Sequence, residues 1–391
     1  MSNVQPSLFD GEAKNNHRNE QSLLALSRLP GVGFGTVRHL FHALDGDLYR
    51  VWSLPLEDVC EHLKTARTPQ PQAVAQQIRD RDRARTLLAE ARDEYEHRLR
   101  DRVSLIFQGT PQYPHALNNL PSPPAWLFIQ GNPQALQDPN IVAVVGTREP
   151  TEAGLECARR LTVLLVREGC AILSGLAEGI DVVGHRTALH WGAPTIAVLG
   201  HGIDVVFPAS TAGVRRQIVE RGGAVVSEYL PKDNYARDRF VARNRIQAAL
   251  SKVVAVVEGQ SKSGTAHTVR FALQLSRSLM GARIGPPSGS PQQELLQDLA
   301  DAEHPVFDLD TQADRSALRR FLRASLPPER RKRKSASPFL FRGVLDEMRQ
   351  QADWYGATKA DFDFFIAEVR KIQRISLAEP DDDQKKNQDA D

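Results

Sequence analysis

The chain has 391 residues, of which 41% are hydrophobic and 25% charged, and its formal net charge is +2. This length allows one large domain with one or two small ones, and the composition is that of an ordinary globular protein. Because the charges nearly balance, any anion-binding site must be a local patch. The three cysteines have neither zinc-site nor disulfide-framework spacing, so we expect no metal, and we expect no cofactor.

The first residues lack the basic segment and apolar core of a secretion signal. No apolar run reaches the length of about 18 residues that a membrane span needs. We therefore expect a cytoplasmic protein without a membrane partner. The polar residues 1–18 are expected to be disordered.

Residues 19–100 carry apolar side chains at helical spacing, which predicts a small helical domain of the SAM-like or helix-hairpin-helix-like kind. Within it, Gly31 and Gly33 stand between apolar residues at the start of a helix. Such a turn can offer free backbone N–H groups to a phosphate. A plain glycine connection between two helices explains the same pattern, and the sequence leaves both interpretations open.

Residues 101–312 alternate between short apolar runs and segments with helical spacing. Continuous apolar runs suit strands that are covered on both faces, and helices between them suit right-handed crossovers. The predicted fold class is α/β, an extended Rossmann-like, doubly wound and mostly parallel sheet with a small N-terminal helical domain and a short helical C-terminal extension. The predicted strands are 141–146, 170–173, 195–200, 224–227 and 252–258, and the predicted helices are 152–168, 178–192, 212–221 and 239–250.

The remainder of the chain is more polar. Residues 313–338 include a basic run and are predicted to be a linker. Residues 339–376 have the spacing of two helices, and the acidic tail 377–391 is predicted to be disordered.

Ligands of an open parallel sheet bind beyond the carboxyl ends of its strands. The first such end carries Gly146, Thr147 and Arg148, where a glycine, a hydroxyl and a guanidinium suit a phosphate. A simple strand–helix turn would look the same. The second end carries Ser174 and Gly175, and a later one carries Ser263, Gly264 and Thr265 at a helix start, which also suits phosphate.

The most basic segment of the α/β region follows the fourth predicted strand. Arginine forks beside a stackable ring form the combination that single strands favour. In the alternative interpretation the same arginines simply pair with nearby carboxylates, those of Asp233, Asp238 and Glu228. The candidate binding residues of this segment are Arg237, Phe240, Arg243, Asn244 and Arg245.

No nucleophile–base arrangement is visible in the sequence. A Gly-x-Ser-x-Gly elbow is absent, Ser174 has no evident partner base, and His185 is better explained as a packed or capping residue. We therefore assign no catalytic residue and expect that the protein is not an enzyme.

The α/β region resembles the DprA/Smf family of DNA-processing proteins over about residues 103–285. The resemblance rests on short motifs in the family's order. They occupy residues 113–133, 144–154, 174–189, 195–208, 222–228, 240–251 and 256–268.

This resemblance implies an extended Rossmann fold that binds single-stranded DNA, dimerises, and hands the strand to a RecA-type recombinase. It places DNA contacts on Gly146–Arg148, on Ser174 and Gly175, and on Arg237, Phe240 and 243–245. Arg237 stands where the family usually has lysine, and Glu178 where it commonly has arginine. The segment after residue 339 does not look like the family's winged helix, so a specialised role in phage defence, or one with a toxin partner, is a further expectation.

Three functional hypotheses follow. The first is a sequence-independent single-stranded DNA-binding protein that acts in DNA processing, recombination or defence. The second is a sensor or hydrolase of a nucleotide-derived small molecule, with Glu178 beside Arg148. The third is a protein-interaction partner whose DNA site has decayed and whose C-terminal helices form the contact surface.

Overall fold

The computed structural model describes residues 17–327. The helices are α1 (Arg18–Leu26), α2 (Phe34–Ala43), α3 (Leu56–Thr65), α4 (Pro71–Arg79), α5 (Arg81–Arg100), α6 (Glu152–Arg167), α7 (Ile180–His190), α8 (Ala212–Glu220), α9 (Arg237–Leu250), α10 (Gly264–Gln274), α11 (Glu294–Asp301) and α12 (Gln312–Ser325). The strands are β1 (Val103–Phe107), β2 (Trp126–Gly131), β3 (Ile141–Val145), β4 (Ala171–Ser174), β5 (Thr195–Val198), β6 (Ala224–Ser227), β7 (Val253–Val256), β8 (Ser278–Arg283) and β9 (Val306–Asp308).

The strands form one nine-stranded sheet in the order β1-β2-β6-β5-β4-β3-β7-β8-β9. The strands from β6 to β9 in this order are parallel, while β2 runs antiparallel to both β1 and β6. The order reverses between β3 and β7, which is where a doubly wound sheet opens a ligand crevice. The predicted fold class is confirmed.

The central strands are buried along their whole length, as their continuous apolar runs predict. Strand β8 is absent from the strands predicted by apolar runs, because Gly281 and the polar ends of Ser278–Arg283 interrupt the pattern. None of the helices in residues 17–327 combines the length and the apolar character needed to cross a bilayer.

Helices α1 to α5 share a hydrophobic core with one face of the sheet. Phe41 stacks on Phe107 of β1 with 5.5 Å between ring centroids, and Phe34 meets Trp126 of β2 edge-on at 5.5 Å. At the end of α5, Arg98 donates to both carboxylate oxygens of Asp204 at 2.7 and 2.8 Å. Burial of these rings therefore joins the helical region to the antiparallel edge of the sheet.

The predicted linker at 313–338 is wrong in its first part, because residues 312–325 form α12. Leu318 and Leu322 lie one turn apart on this helix and are fully buried in an apolar cluster with strand residues such as Val253, Ala255 and Met280. The arginines around them obscured this apolar stripe in the sequence. Four predicted regions lie wholly or almost wholly outside the described residues. They are the rest of the linker, the helical region at 339–376, the tail at 377–391 and nearly all of the predicted disordered N-terminus.

We expect Leu318→Ala to lower the free energy of unfolding by about 2–5 kcal/mol, because it leaves a cavity at a fully buried position. Chemical denaturation followed by circular dichroism measures this change. Arg320→Ala, at an exposed position of the same helix, is the control and should change stability by no more than about 0.5 kcal/mol. Equal and small effects of both substitutions would show that α12 does not contribute to the folded core.

Candidate nucleic-acid interface

The loop after β3 lies at the point where the strand order reverses. The Thr147 N–H donates to the carbonyl of Glu258 at 2.8 Å, and the Thr147 carbonyl accepts from the N–H of Ile180 at 3.2 Å. The loop is thus fastened to the end of β7 on one side and to the start of α7 on the other. Arg148, its next residue, is exposed.

A buried carboxylate occupies the N-terminus of α6, the helix that follows this loop. Glu258 is 3% exposed and accepts hydrogen bonds from the Thr151 N–H at 2.9 Å and the Thr151 hydroxyl at 2.6 Å. The first helix N-terminus of a Rossmann-like sheet is the usual place for a ligand phosphate. Here the protein's own anion fills that position.

The guanidinium of Arg243 is buried beneath the edge of the sheet. It donates to the carbonyl of Val198, the last residue of β5, at 2.5 Å. Gly175 allows this, since a Cβ there would overlap the guanidinium. Burial lowers the pKa of Arg243 to about 10, and the charge of nearby Asp181 opposes that shift. Arg243 therefore stays charged at neutral pH.

The ring of Phe240 lies against two guanidinium groups. The Cζ atoms of Arg148 and Arg243 are each 5.4 Å from its centroid, within the range of a cation–π contact. Gly200 makes room for the ring, because a Cβ at that position would lie 2.7 Å from Phe240 Cδ2. Phe240 is only 8% exposed, so its ring positions Arg148 more than it faces solvent.

Two further aromatic rings stand beside Phe240 and are much more exposed. Tyr235 and Phe207 are 41% and 38% exposed, and their ring centroids are 4.5 Å apart. The Tyr235 ring lies 4.8 Å from that of Phe240. The edge of the sheet thus carries a continuous row of one exposed cation and three rings.

Arg237 begins α9 and is exposed at the rim of an open groove of about 620 Å³. His267 of α10 lines the same groove. The loop before α10 is joined to α9, since the Asn244 side-chain amide donates to the Gly264 carbonyl at 3.0 Å. The Ser263 hydroxyl caps α10 by accepting from the Ala266 N–H, and Thr265 is buried.

Several predicted site residues have side chains that already form hydrogen bonds or ion pairs within the protein. Ser174 is fully buried and its hydroxyl donates to the carbonyl of Val144 at 2.6 Å. Arg245 forms a two-pronged ion pair with Glu228 at 2.8 and 2.6 Å, and Arg239 pairs with Asp233. The alternative interpretation, that arginines of this segment pair with carboxylates, is confirmed for Arg245. The predicted DNA contacts of these residues stay predictions.

His185 is packed, as its sequence setting indicated. It is fully buried, and its Nδ1 lies 2.7 Å from the Thr195 hydroxyl. Burial lowers its pKa to about 3, which keeps the ring neutral. The glycine turn ahead of α2 ends at Phe34, whose ring lies 5.2 Å from that of Tyr229, and both interpretations of that turn remain open.

Sequence reasoning missed Glu258, Phe207 and Tyr235. Glu258 follows β7, and β7 is the neighbour of β3 in the sheet. The position of Glu258 beside the loop after β3 could therefore have been predicted from the expected strand order. The two exposed rings gave no signal, since only the fold brings residues 207 and 235 together.

The sequence model of the family described as DNA recombination-mediator protein A matches residues 104–305, just over half of the chain. DNA processing protein DprA of Bacillus subtilis is 32% identical over 198 residues, which cover 50% of this chain and 66% of the relative. Protein Smf of Escherichia coli is 38% identical over 185 residues, covering 46% of this chain and 48% of the relative. Several relatives, including that of a Synechocystis strain, are thus matched over about half of their own length.

Two solved structures have the same fold. That of DNA processing protein A from Streptococcus pneumoniae gives a TM-score of 0.57 at 25% identity and covers 77% of this chain and 96% of that one. DNA processing protein A from Helicobacter pylori, described for its single-stranded DNA binding mode, gives a TM-score of 0.50 at 25% identity, covering 57% of this chain and 97% of that one. The motifs, the sheet order and these matches agree, and the chain belongs to the DprA/Smf family, that of DNA recombination-mediator protein A.

Proposed function

We propose that this protein binds single-stranded DNA without sequence preference and acts in DNA processing or recombination. The observation that carries the proposal is the arrangement at the carboxyl edge of the sheet, where exposed Arg148 and buried Arg243 both lie against the Phe240 ring. Family membership and the single-stranded DNA binding described for the Helicobacter pylori relative support it.

The exposed arginines at this edge can attract a phosphate chain. Within residues 17–327, no carboxylate lies within ion-pair distance of Arg148 or Arg237. Their charges are therefore available to phosphate oxygens, whose neutralisation releases counterions from the strand. The buried charge of Arg243 adds to the positive potential below them.

The surroundings of these arginines favour an unpaired strand. Aromatic rings beside cations suit stacking with exposed bases, and every base has a face that can stack. No constellation of side chains at this edge presents a base-specific pattern among the described residues. Residues 146–148 and 174–175 are part of the proposed contact, together with Ser263, Gly264 and Thr265 at the start of α10. The N–H groups of Thr147 and Gly175 already donate to the Glu258 carbonyl and the Asp181 carboxylate, so they are not proposed as phosphate donors.

The small-ligand hypothesis finds less support in the geometry. A nucleotide phosphate at the switch point would have to displace the buried carboxylate of Glu258 from Thr151. Glu178 is exposed and accepts a hydrogen bond from the Ser210 hydroxyl at 2.6 Å, which leaves it at the rim of the edge.

The wider roles implied by the family are also proposals. The protein would act as a homodimer in the cytoplasm, so that two edges hold one strand with greater avidity, and would pass the strand to a RecA-type recombinase. The proposed domains are the helical region at 19–100 and the DNA-binding region at 101–312.

We expect Arg148→Ala and Arg237→Ala each to lower the slope of log affinity against log salt by about one unit, because each removes one phosphate contact. Fluorescence anisotropy with a labelled single strand, a matching duplex and a free nucleotide at several salt concentrations measures this slope. Arg320→Ala on α12, which removes an exposed arginine elsewhere, should leave the slope unchanged. A wild-type protein that binds no single strand, or unchanged slopes in both variants, would contradict the proposal.

Arg243 is unsuitable for that experiment. Its guanidinium is hydrogen-bonded inside the protein, so Arg243→Ala would weaken the fold as well as the site. Substitution of the exposed Arg148 or Arg237 removes a proposed DNA contact without removing a buried hydrogen bond, so its effect on binding can be measured in a folded protein.

We expect Glu178→Arg to tighten single-strand binding and to steepen the salt slope, because a repulsive charge at the rim becomes attractive. Glu178→Gln, measured beside it by anisotropy, should tighten binding less. The same two proteins are assayed for hydrolysis of nucleotides. A wild-type hydrolase activity that disappears in Glu178→Gln would favour the small-ligand hypothesis instead.

A further inference from the structure

The exposed rings of Phe207 and Tyr235, here called the aromatic pair, need an explanation that the fold does not provide. Among residues 17–327 the large apolar side chains with high exposure include only these two aromatics. They lie 4.5 Å apart with an angle of 35° between their planes. Val206, which precedes Phe207 in the chain, is also exposed, so it forms an apolar patch on the surface together with the pair.

The aromatic pair is continuous with the proposed strand-binding site. Tyr235 lies 4.8 Å and Phe207 6.0 Å from the Phe240 ring, measured between centroids. The Arg148 guanidinium lies over the same Phe240 ring. A single side chain therefore separates the exposed cation from the exposed rings.

The aromatic pair is held in place from below. The buried ring of His201 lies 6.4 Å from the Phe207 ring and 6.2 Å from the Phe240 ring. Its two nitrogens lie 3.0 and 3.2 Å from the carbonyl oxygens of Gly202 and Phe207. The neutral ring that burial favours can donate to one of these two carbonyls, and it packs against both Phe207 and Phe240. This packing limits the ordering that is required when a planar ligand stacks on the aromatic pair.

The charges around the aromatic pair favour a negatively charged chain as its occupant. The nearby carboxylates of Asp204 and Asp233 are already paired with Arg98 and Arg239. Lys232, by contrast, is exposed in the same loop as Tyr235. Asp238 at the start of α9 is also exposed, but an aromatic surface beside exposed cations suits a nucleic acid strand, because bases stack on the rings and phosphates are attracted by the cations.

We propose that the aromatic pair is a stacking platform for unpaired nucleobases of the strand whose phosphates contact Arg148. This inference rests on the proposed function and extends it. Phe240 is 8% exposed, whereas Tyr235 and Phe207 are 41% and 38% exposed, so the pair has more ring surface available to a base. Phosphate contacts and base contacts are thereby divided between adjacent groups of side chains.

The test compares Tyr235→Leu and Phe207→Leu with the wild type, using an oligothymidine strand and an abasic strand of the same length. Each substitution should weaken oligothymidine binding about tenfold, because one stacking contact is lost. Binding to the abasic strand and the salt slope should not change, because no phosphate contact is removed. Tyr235→Trp, which keeps a ring, should retain wild-type affinity, and Leu56→Ala is the control for loss of an exposed apolar side chain elsewhere.

The outcomes separate this inference from the proposed function. If Arg148→Ala still lowers the salt slope but the leucine variants keep the wild-type preference for oligothymidine over the abasic strand, the platform is refuted and strand binding stands. Equal losses on both strands, or a changed salt slope in the leucine variants, would also overturn the platform. A wild-type protein that binds neither strand would remove the proposed function itself.

Discussion

The buried guanidinium of Arg243 is the interaction on which the edge of the sheet depends. It donates to the carbonyl at the end of β5 and lies against the Phe240 ring of its own helix, in the space left by Gly175. Moving a buried guanidinium away from its partners is costly, so the groups around it have little freedom to move. The guanidinium of exposed Arg148 lies against the same Phe240 ring. This contact restricts the motion of a side chain that would otherwise move freely on the surface.

Glu258 is a second buried charged residue at the same edge of the sheet, and its charge is opposite to that of Arg243. Its carboxylate satisfies the start of α6, where many Rossmann-like proteins hold a ligand's phosphate. The edge therefore carries a buried anion at the switch point and a buried cation beneath Phe240. For the strand binding proposed above, this arrangement would favour phosphates at the exposed arginines over phosphates in the crevice, because the carboxylate repels them there.

Much of this architecture could be predicted from the sequence, because fully buried parallel strands leave continuous apolar runs such as 141–145 and 253–256. The arginine-rich segment was also recognisable. The sequence could not show which arginines face solvent, since that depends on partners from other elements, such as Glu228 for Arg245. Helix α12 was mistaken for a linker because two leucines were its main apolar signal among many charges. The pairing of Phe207 with Tyr235 depends on distant loops and leaves no local pattern.

The contact between Arg98 and Asp204 has a consequence for the exposed rings. Asp204 lies in the loop that also carries Phe207, so the last turn of α5 braces that loop from outside the sheet. Loss of helices α1 to α5 would remove this anchor and uncover Trp126. If the aromatic pair stacks on bases as proposed, the helical region would fix the position of one of its rings while it also completes the hydrophobic core.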